Sequence, residues 1–319
     1  MRTSVISARP YLLCLLVGFI NVPALAQDLP QDLRPIPTAC ASKWMISRRL
    51  AAVLRSVNST LVNDTAAVIA REYLARGSAG LRVYAERYDV TGASIASALA
   101  AQPSLYADLD ALADSILAQQ DELRSAFRQL LHLFPDAAFP RVWFFVGGHG
   151  TRGLSRREGV LICAEGFADR PKDVVPLVLH ELAHFQSAMV QGAEIYRRIF
   201  GPDQTLLALA LREGSADLIA YLTTGRVNPA AERYGLAHEP ELWSRFREDM
   251  HRRDPGDWMF VRPANPDWPP DLGYWIGYRI AKSYYDQARD KRQATLDILN
   301  LTDFDAFLRA SGYVERVAR

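Results

Sequence analysis

Val174-Val175-Pro176-Leu177-Val178-Leu179-His180-Glu181-Leu182-Ala183-His184 is the stretch on which the reading of this chain turns. Its first six residues are wholly apolar, and no glycine interrupts the sequence as far as Gln191. Pro176 falls in what would be a first helical turn, where its missing N–H is not needed. A helix is therefore predicted from about Asp173 to Gln191. Two histidines four apart on a helix project from one face, one turn above the other, and can share one ion through their imidazoles. Glu181 points to the neighbouring edge of that face. From there its carboxylate can reach a water on the ion without ligating the metal, the position a general base needs in metal-assisted hydrolysis. A His-x-x-x-His pair can also be purely structural. Placing two histidines and a glutamate at the end of so apolar a run is costly unless partners satisfy them, and a metal would do so.

Upstream, the texture changes at Phe134-Pro135-Asp136. Arg141–Val146 is an aromatic and β-branched run bounded by Pro140 and Gly147, hence a strand. Gly159–Cys163 reads as a second strand, with Gly147–Thr151 as a flexible turn after the first. Before Phe134 the pattern is helical, with apolar residues at three- and four-residue spacing over Ser42–Val57, Leu61–Arg76 and Ser104–Leu133. After the motif, helices are expected near Gln204–Thr224, Glu239–Arg252, Leu272–Ala288 and Thr302–Ala310. Asp254–Asp271, rich in Pro, Trp and Asp, reads as an ordered loop. The expected class is α+β, predominantly helical, with a small sheet just before the motif helix.

A catalytic zinc usually takes three protein ligands and keeps one position open. The best third ligand is Glu213, in Arg212-Glu213-Gly214-Ser215-Ala216-Asp217, which opens an apolar helical stretch. Asp217, four residues on, shares its face and could accept a hydrogen bond from the outer nitrogen of a zinc-bound histidine. The alternative for this pair is a solvated helix face carrying an Arg-Glu pair.

His180-Glu181-x-x-His184 followed by Glu213-x-x-x-Asp217 resembles the gluzincin arrangement of zinc metallopeptidases, the clan of thermolysin and the zinc aminopeptidases. Within it, the chain is most similar to a family of zinc-dependent proteases of uncharacterised substrate related to gliding-motility lipoproteins. That likeness rests on the strand–glycine-turn–strand at Val142–Cys163, on the two motifs, and on Gly273-Tyr274-Trp275-Ile276-Gly277-Tyr278-Arg279-Ile280. It spans roughly Phe139 to Asp286, about half the chain. It implies a zincin-like fold, His180, His184 and Glu213 as zinc ligands, Glu181 as general base and Asp217 as the group that orients a ligand. Tyr274-x-x-Gly277 is similar to the element whose tyrosine, in the aminopeptidases, hydrogen-bonds the tetrahedral intermediate. Tyr278 competes for that role, and both could be packing aromatics. The Gly-x-Met-Glu-Asn motif that holds a substrate amine is missing, which weakens an exopeptidase reading. The resemblance also implies that an edge strand pairs with an extended peptide, and Val142–Val146 is the strand expected to do so. Gly147, Gly148 and Gly150 would let main chain approach closely. His149 reads as a surface turn residue, with ligand or donor as the alternative. His132, His238 and His251 read as structural.

The 319 residues are 49% hydrophobic and 23% charged, ordinary globular composition with enough length for a real core. Arg2 and Arg9, a short apolar run over Tyr11–Ile20 and Ala24-Leu25-Ala26 read as a signal peptide of residues 1–26. Export to the periplasm or medium is therefore expected. The remainder divides into a helical region, 27–135, and a zincin-like catalytic region, 136–319, together one compact unit. Removing the two arginines takes the formal charge from +1 to −1, which carries no electrostatic footprint for nucleic acid or an anionic membrane. Cys40 and Cys163 remain, either paired after export or as separate buried thiols. The expected function is zinc-dependent hydrolysis of peptide or protein substrates. The alternative is an exported zinc-binding or partner-binding protein without turnover.

Overall fold

A computed structural model of the chain describes residues 44–46, 48–56, 62–148, 153–199 and 204–318. The expected leader 1–26, Cys14, His149 and Gly150 lie outside the described residues, and so does Cys40, with its pairing to Cys163. The fold is predominantly helical with one small sheet, as expected. Two compact units are distinguishable. One comprises Leu29–Gln186 and Ile219–Gly225, the other Ser187–Leu218 and Arg226–Arg319.

The first unit holds β1 (Trp44–Ile46), α1 (Arg49–Ser56) and α2 (Val62–Val68), which runs on as a π-helical turn over Ile69–Leu74. Then come α3 (Ala79–Tyr88), α4 (Gly92–Ala101), α5 (Leu109–Leu117) and α6 (Gln120–Leu133). The strands β2 (Val142–Phe145), β3 (Gly153–Arg156) and β4 (Gly159–Cys163) follow, and then the start of α7 (Val174–Gln191). Side chains define several helix starts: Thr91 and Ser94 form a reciprocal capping box, and Asp108 accepts from Ala111 N at 2.8 Å.

Two expectations fail here. The helix predicted from Ser42 begins only at Arg49, because the backbone of Trp44–Ile46 pairs in parallel with Val142–Phe144. A three-residue strand leaves no periodicity that apolar spacing could separate from a helix. The long helix predicted over Ser104–Leu133 is two helices, since the Asp108 cap starts α5 late and the chain breaks at Ala118-Gln119.

The sheet order is β1-β2-β4-β3, with β1, β2 and β4 parallel and β3 antiparallel to β4. Val142–Phe145 thus lies inside the sheet, bonded on both sides, and is not an edge that could receive a peptide. The edge next to β4 is β3, which the sequence reading missed. Gly-Leu-Ser-Arg has little alternation, and its four residues are all half-buried. Pairing makes it a strand: Gly153 faces Ile162 and Arg156 faces Gly159 across a tight turn at Arg157-Glu158. Gly159 closes that turn at φ +127°, a backbone that L side chains rarely adopt. The core of this unit includes Tyr73, Tyr84, Phe144, Phe145, Leu161 and Ile162, each fully buried or nearly so.

The second unit contains α8 (Ala193–Ile199), the larger part of α9 (Leu206–Thr224), α10 (Pro229–Asp249), α11 (Leu272–Gln287), α12 (Lys291–Leu299), α13 (Phe304–Ala310) and α14 (Tyr313–Val317). The helix expected to begin at Glu239 begins ten residues earlier, with Asn228 capping Ala230 N and Ala231 N and Pro229 in the first turn. Pro240 is accommodated by a kink at His238 (φ −127°, ψ 17°) instead of starting the helix. The loop before α11 is ordered as expected. Trp258 is buried there, donates to Asp249 Oδ2 at 3.0 Å and has the Trp268 ring 4.9 Å away.

Candidate metal centre

α7 is buried along its apolar residues, with Val174, Val175, Val178, Leu179, Leu182 and Ala183 at 2% exposure or less. Amides anchor it at two points. Gln186 accepts from Ala138 N at 2.9 Å and donates to Ala138 O at 2.6 Å, while Gln191 donates to Leu299 O at 2.9 Å. Between the apolar start and these anchors lie His180, 9% exposed, Glu181, 8% exposed, and the half-buried His184. Their burial is the costly arrangement that the sequence foreshadows.

His180 Nε2 and His184 Nε2 stand 3.1 Å apart, with the rings at 85°. Two nitrogens about 2.0–2.1 Å from a tetrahedral zinc would lie roughly 3.3 Å apart. Glu213, only 3% exposed, completes the group: one ligand atom from each of the three residues lies within 4.8 Å of the others. Among the described residues this is the group of His, Cys, Asp and Glu side chains that could hold a metal ion. Two imidazoles and one carboxylate are a donor set that zinc accepts, with room for a fourth position. The donors fit a metal; they do not by themselves name which.

The solvated alternative for Glu213 falls. An Arg-Glu pair does form, with Arg212 Nε 2.7 Å from Glu213 Oε1 and Nη2 on the same oxygen, but both side chains are buried. Burial alone would lower the Arg212 pKa. The carboxylate of Glu213, with Tyr196 and Tyr274, outweighs it and raises the pKa above its ordinary value. Arg212 is therefore a fixed cation bonded to a candidate ligand, and no motif signals it.

Glycines bring α9 and α11 into direct backbone contact. A Cβ on Gly214 would stand 2.5 Å from Gly277 Cα and would collide with Tyr278 N, and one on Gly277 would collide with the carbonyl of Ala210. This gives Gly277 of the Tyr-x-x-Gly element a physical reason. It lets Tyr274, in the first turn of α11, come within electrostatic reach of Arg212. Tyr274 is half-buried with Phe260 6.0 Å away, whereas Tyr278 is 4% exposed in the helix contact. Asp217 is half-buried one turn beyond Glu213. Asp271, which the sequence reading passed over, accepts from Phe260 N at 2.8 Å. Burial raises its pKa, and the charges of Glu213 and Asp217 raise it further.

No protein-family model, no curated protein and no solved structure matches the chain. What the site can do rests on its own chemistry.

Two more features bear on the site. β3 runs alongside Glu181, with Ser155 Oγ donating to the Glu181 carbonyl and lying 3.4 Å from Oε2. Glu165, fully buried, accepts from Gly147 N at 3.1 Å and from Gly148 N, and so holds the start of the glycine turn. Burial pushes its carboxyl pKa up against the hydrogen bonds it receives. Sequence could have flagged neither, since one is a serine in an unpatterned segment and the other a lone glutamate after a strand. His132, His238 and His251 are not part of the group that could hold a metal. His132 is exposed, His238 stacks on Tyr234 at 4.4 Å, and His251 lies 3.9 Å from Asp305.

Proposed function

We propose that the chain is a zinc-dependent hydrolase of peptide bonds, exported by its leader at residues 1–26. The observation that carries this reading is the convergence of His180, His184 and Glu213 beside a buried Glu181. Zinc held by those three would supply Lewis acidity toward a water and the scissile carbonyl. Glu181 would accept the proton of that water on its carboxylate and return it to the leaving nitrogen. Tyr274, less buried than Tyr278, would donate its phenolic hydrogen to the developing oxyanion. Asp217 would orient a histidine ligand through the ring nitrogen that faces away from the metal. The outer edge of β3 would receive an extended peptide by strand addition, the role expected at first of Val142–Val146.

The test is Glu181→Gln in the full chain. Zinc stoichiometry should stay at the wild-type value while chelator-sensitive cleavage of a mixed peptide library disappears. Undiminished cleavage in the variant would remove Glu181 from the mechanism. Zinc bound to the wild type with no peptide cleaved would establish the alternative, a zinc-binding protein without turnover. No described helix is long and apolar enough to cross a membrane.

A further inference from the structure

We propose that β3 seats the general base: Gly153 leaves the space in which the Glu181 carboxylate lies, and Ser155 ties the strand to the motif helix at that same residue. This rests on the reading of Glu181 as general base and names two positioning residues for it. A Cβ added at Gly153 would stand 2.6 Å from Glu181 Cγ and 2.8 Å from Cδ, and closer still to Oε1. All three atoms belong to the Glu181 side chain, and nothing else is among the nearest neighbours. The strand thus meets the carboxylate face to face. Gly153 does not have a left-handed backbone, so an alanine there is free of backbone strain and its closest collisions are with the glutamate. Ser155 is two residues on, hence on the same side of the strand. Its hydroxyl bonds the Glu181 carbonyl and lies 3.4 Å from Oε2.

The arrangement separates two things that usually move together. A methyl at Gly153 meets the Glu181 side chain from Cγ to Oε1, with no main chain among its three nearest atoms, so the fold can give way by turning Glu181 into another rotamer. Stability and metal ligation then survive while the base is displaced. A carboxylate moved by about 1 Å from its working position is enough to cost a large factor in rate. Because β3 also carries the sheet's outer edge, the element that would bind an extended chain is the one that sets the base.

The experiment uses the zinc-loaded full chain and two readouts, binding of acetohydroxamate and cleavage of a mixed peptide library. Acetohydroxamate chelates zinc as its anion, and a neighbouring base must take up the N–O–H proton. Gly153→Ala is expected to keep wild-type zinc stoichiometry and Tm, to weaken acetohydroxamate binding about tenfold, and to lower kcat at least tenfold with KM little changed. Ser155→Ala should lower kcat several-fold, and Ser155→Thr, which keeps the hydroxyl, should restore it. The double variant Gly153→Ala with Glu181→Gln should be no worse than Glu181→Gln alone, since both act through one group. Wild-type acetohydroxamate binding and wild-type kcat in Gly153→Ala would overturn the proposal, even where Glu181→Gln is inactive. If Glu181→Gln itself binds acetohydroxamate and cleaves peptides like the wild type, the general-base reading fails and the seat has no function to serve.

Discussion

The motif helix and the α9–α11 pair solve the same problem in opposite ways. α7 carries its buried polar residues after a wholly apolar start and ties itself down through the amides of Gln186 and Gln191. α9 and α11 dispense with side chains at their contact: Gly214 and Gly277 let the two backbones touch. The first arrangement tolerates adjustment, because side chains have rotamers to change. The second has none, and any added atom must displace a main chain. The adaptable and the unyielding kind of packing should therefore respond very differently to substitution.

The largest effect is expected from Gly277→Val. Its branched side chain would be driven into the carbonyl of Ala210, so destabilisation should exceed about 5 kcal/mol, with loss of a cooperative thermal transition. Wild-type melting in that variant would break the contrast. Gln186→Leu comes next. It preserves approximate volume but strips Ala138 of partners for both its N–H and its carbonyl, at roughly 1–3 kcal/mol each. Denaturant midpoints should show that loss with the slope unchanged, and zinc stoichiometry should be retained because α7 can readjust.

The smallest effect is one of pH. Glu165 has a raised folded pKa, so between its ordinary value of 4.5 and the raised one the folded protein keeps a proton that the unfolded chain releases. Stability should fall as pH climbs through that window. Glu165→Gln keeps an acceptor for Gly147 N and Gly148 N but removes this titration, so its stability should fall less steeply there than the wild type's. Denaturant midpoints between pH 4 and pH 8 would show whether the two curves converge at the acid end.

The same contrast explains what could be read in the sequence. β2, β4, α7, α9 and α11 were legible, since each is a long or strongly patterned apolar run. So were His180, His184 and Glu213, because a metal set needs specific residue types at helical spacing. β1 and β3 were not: each is a strand through its pairing with a neighbour, β1 too short to tell from a helix and β3 without the apolar run that marks the equally short β2. Ser155, Gly153 and Asp271 escaped for a related reason. Their significance lies in what they touch, and adjacency in space leaves no spacing signal along the chain. α10 runs ten residues further upstream than expected because Asn228 caps it there and a kink at His238 absorbs Pro240.

The π-helical turn at Ile69–Leu74 carries a consequence for how this chain can vary in length. Tyr73 on that turn donates to Val146 O at 2.8 Å and accepts from Val146 N at 3.0 Å, which fastens the end of β2. A π turn holds one residue more than the α turn it replaces. Loss of a single residue such as Ala70 would let the segment relax to an ordinary helix. Because the π turn already takes up that extra residue, the helix on either side of it would keep nearly the same relative facing after the loss. A one-residue deletion within Ile69–Leu74 should therefore be better absorbed than one inside a regular helix such as α6, where it would turn one flank by about 100° relative to the other.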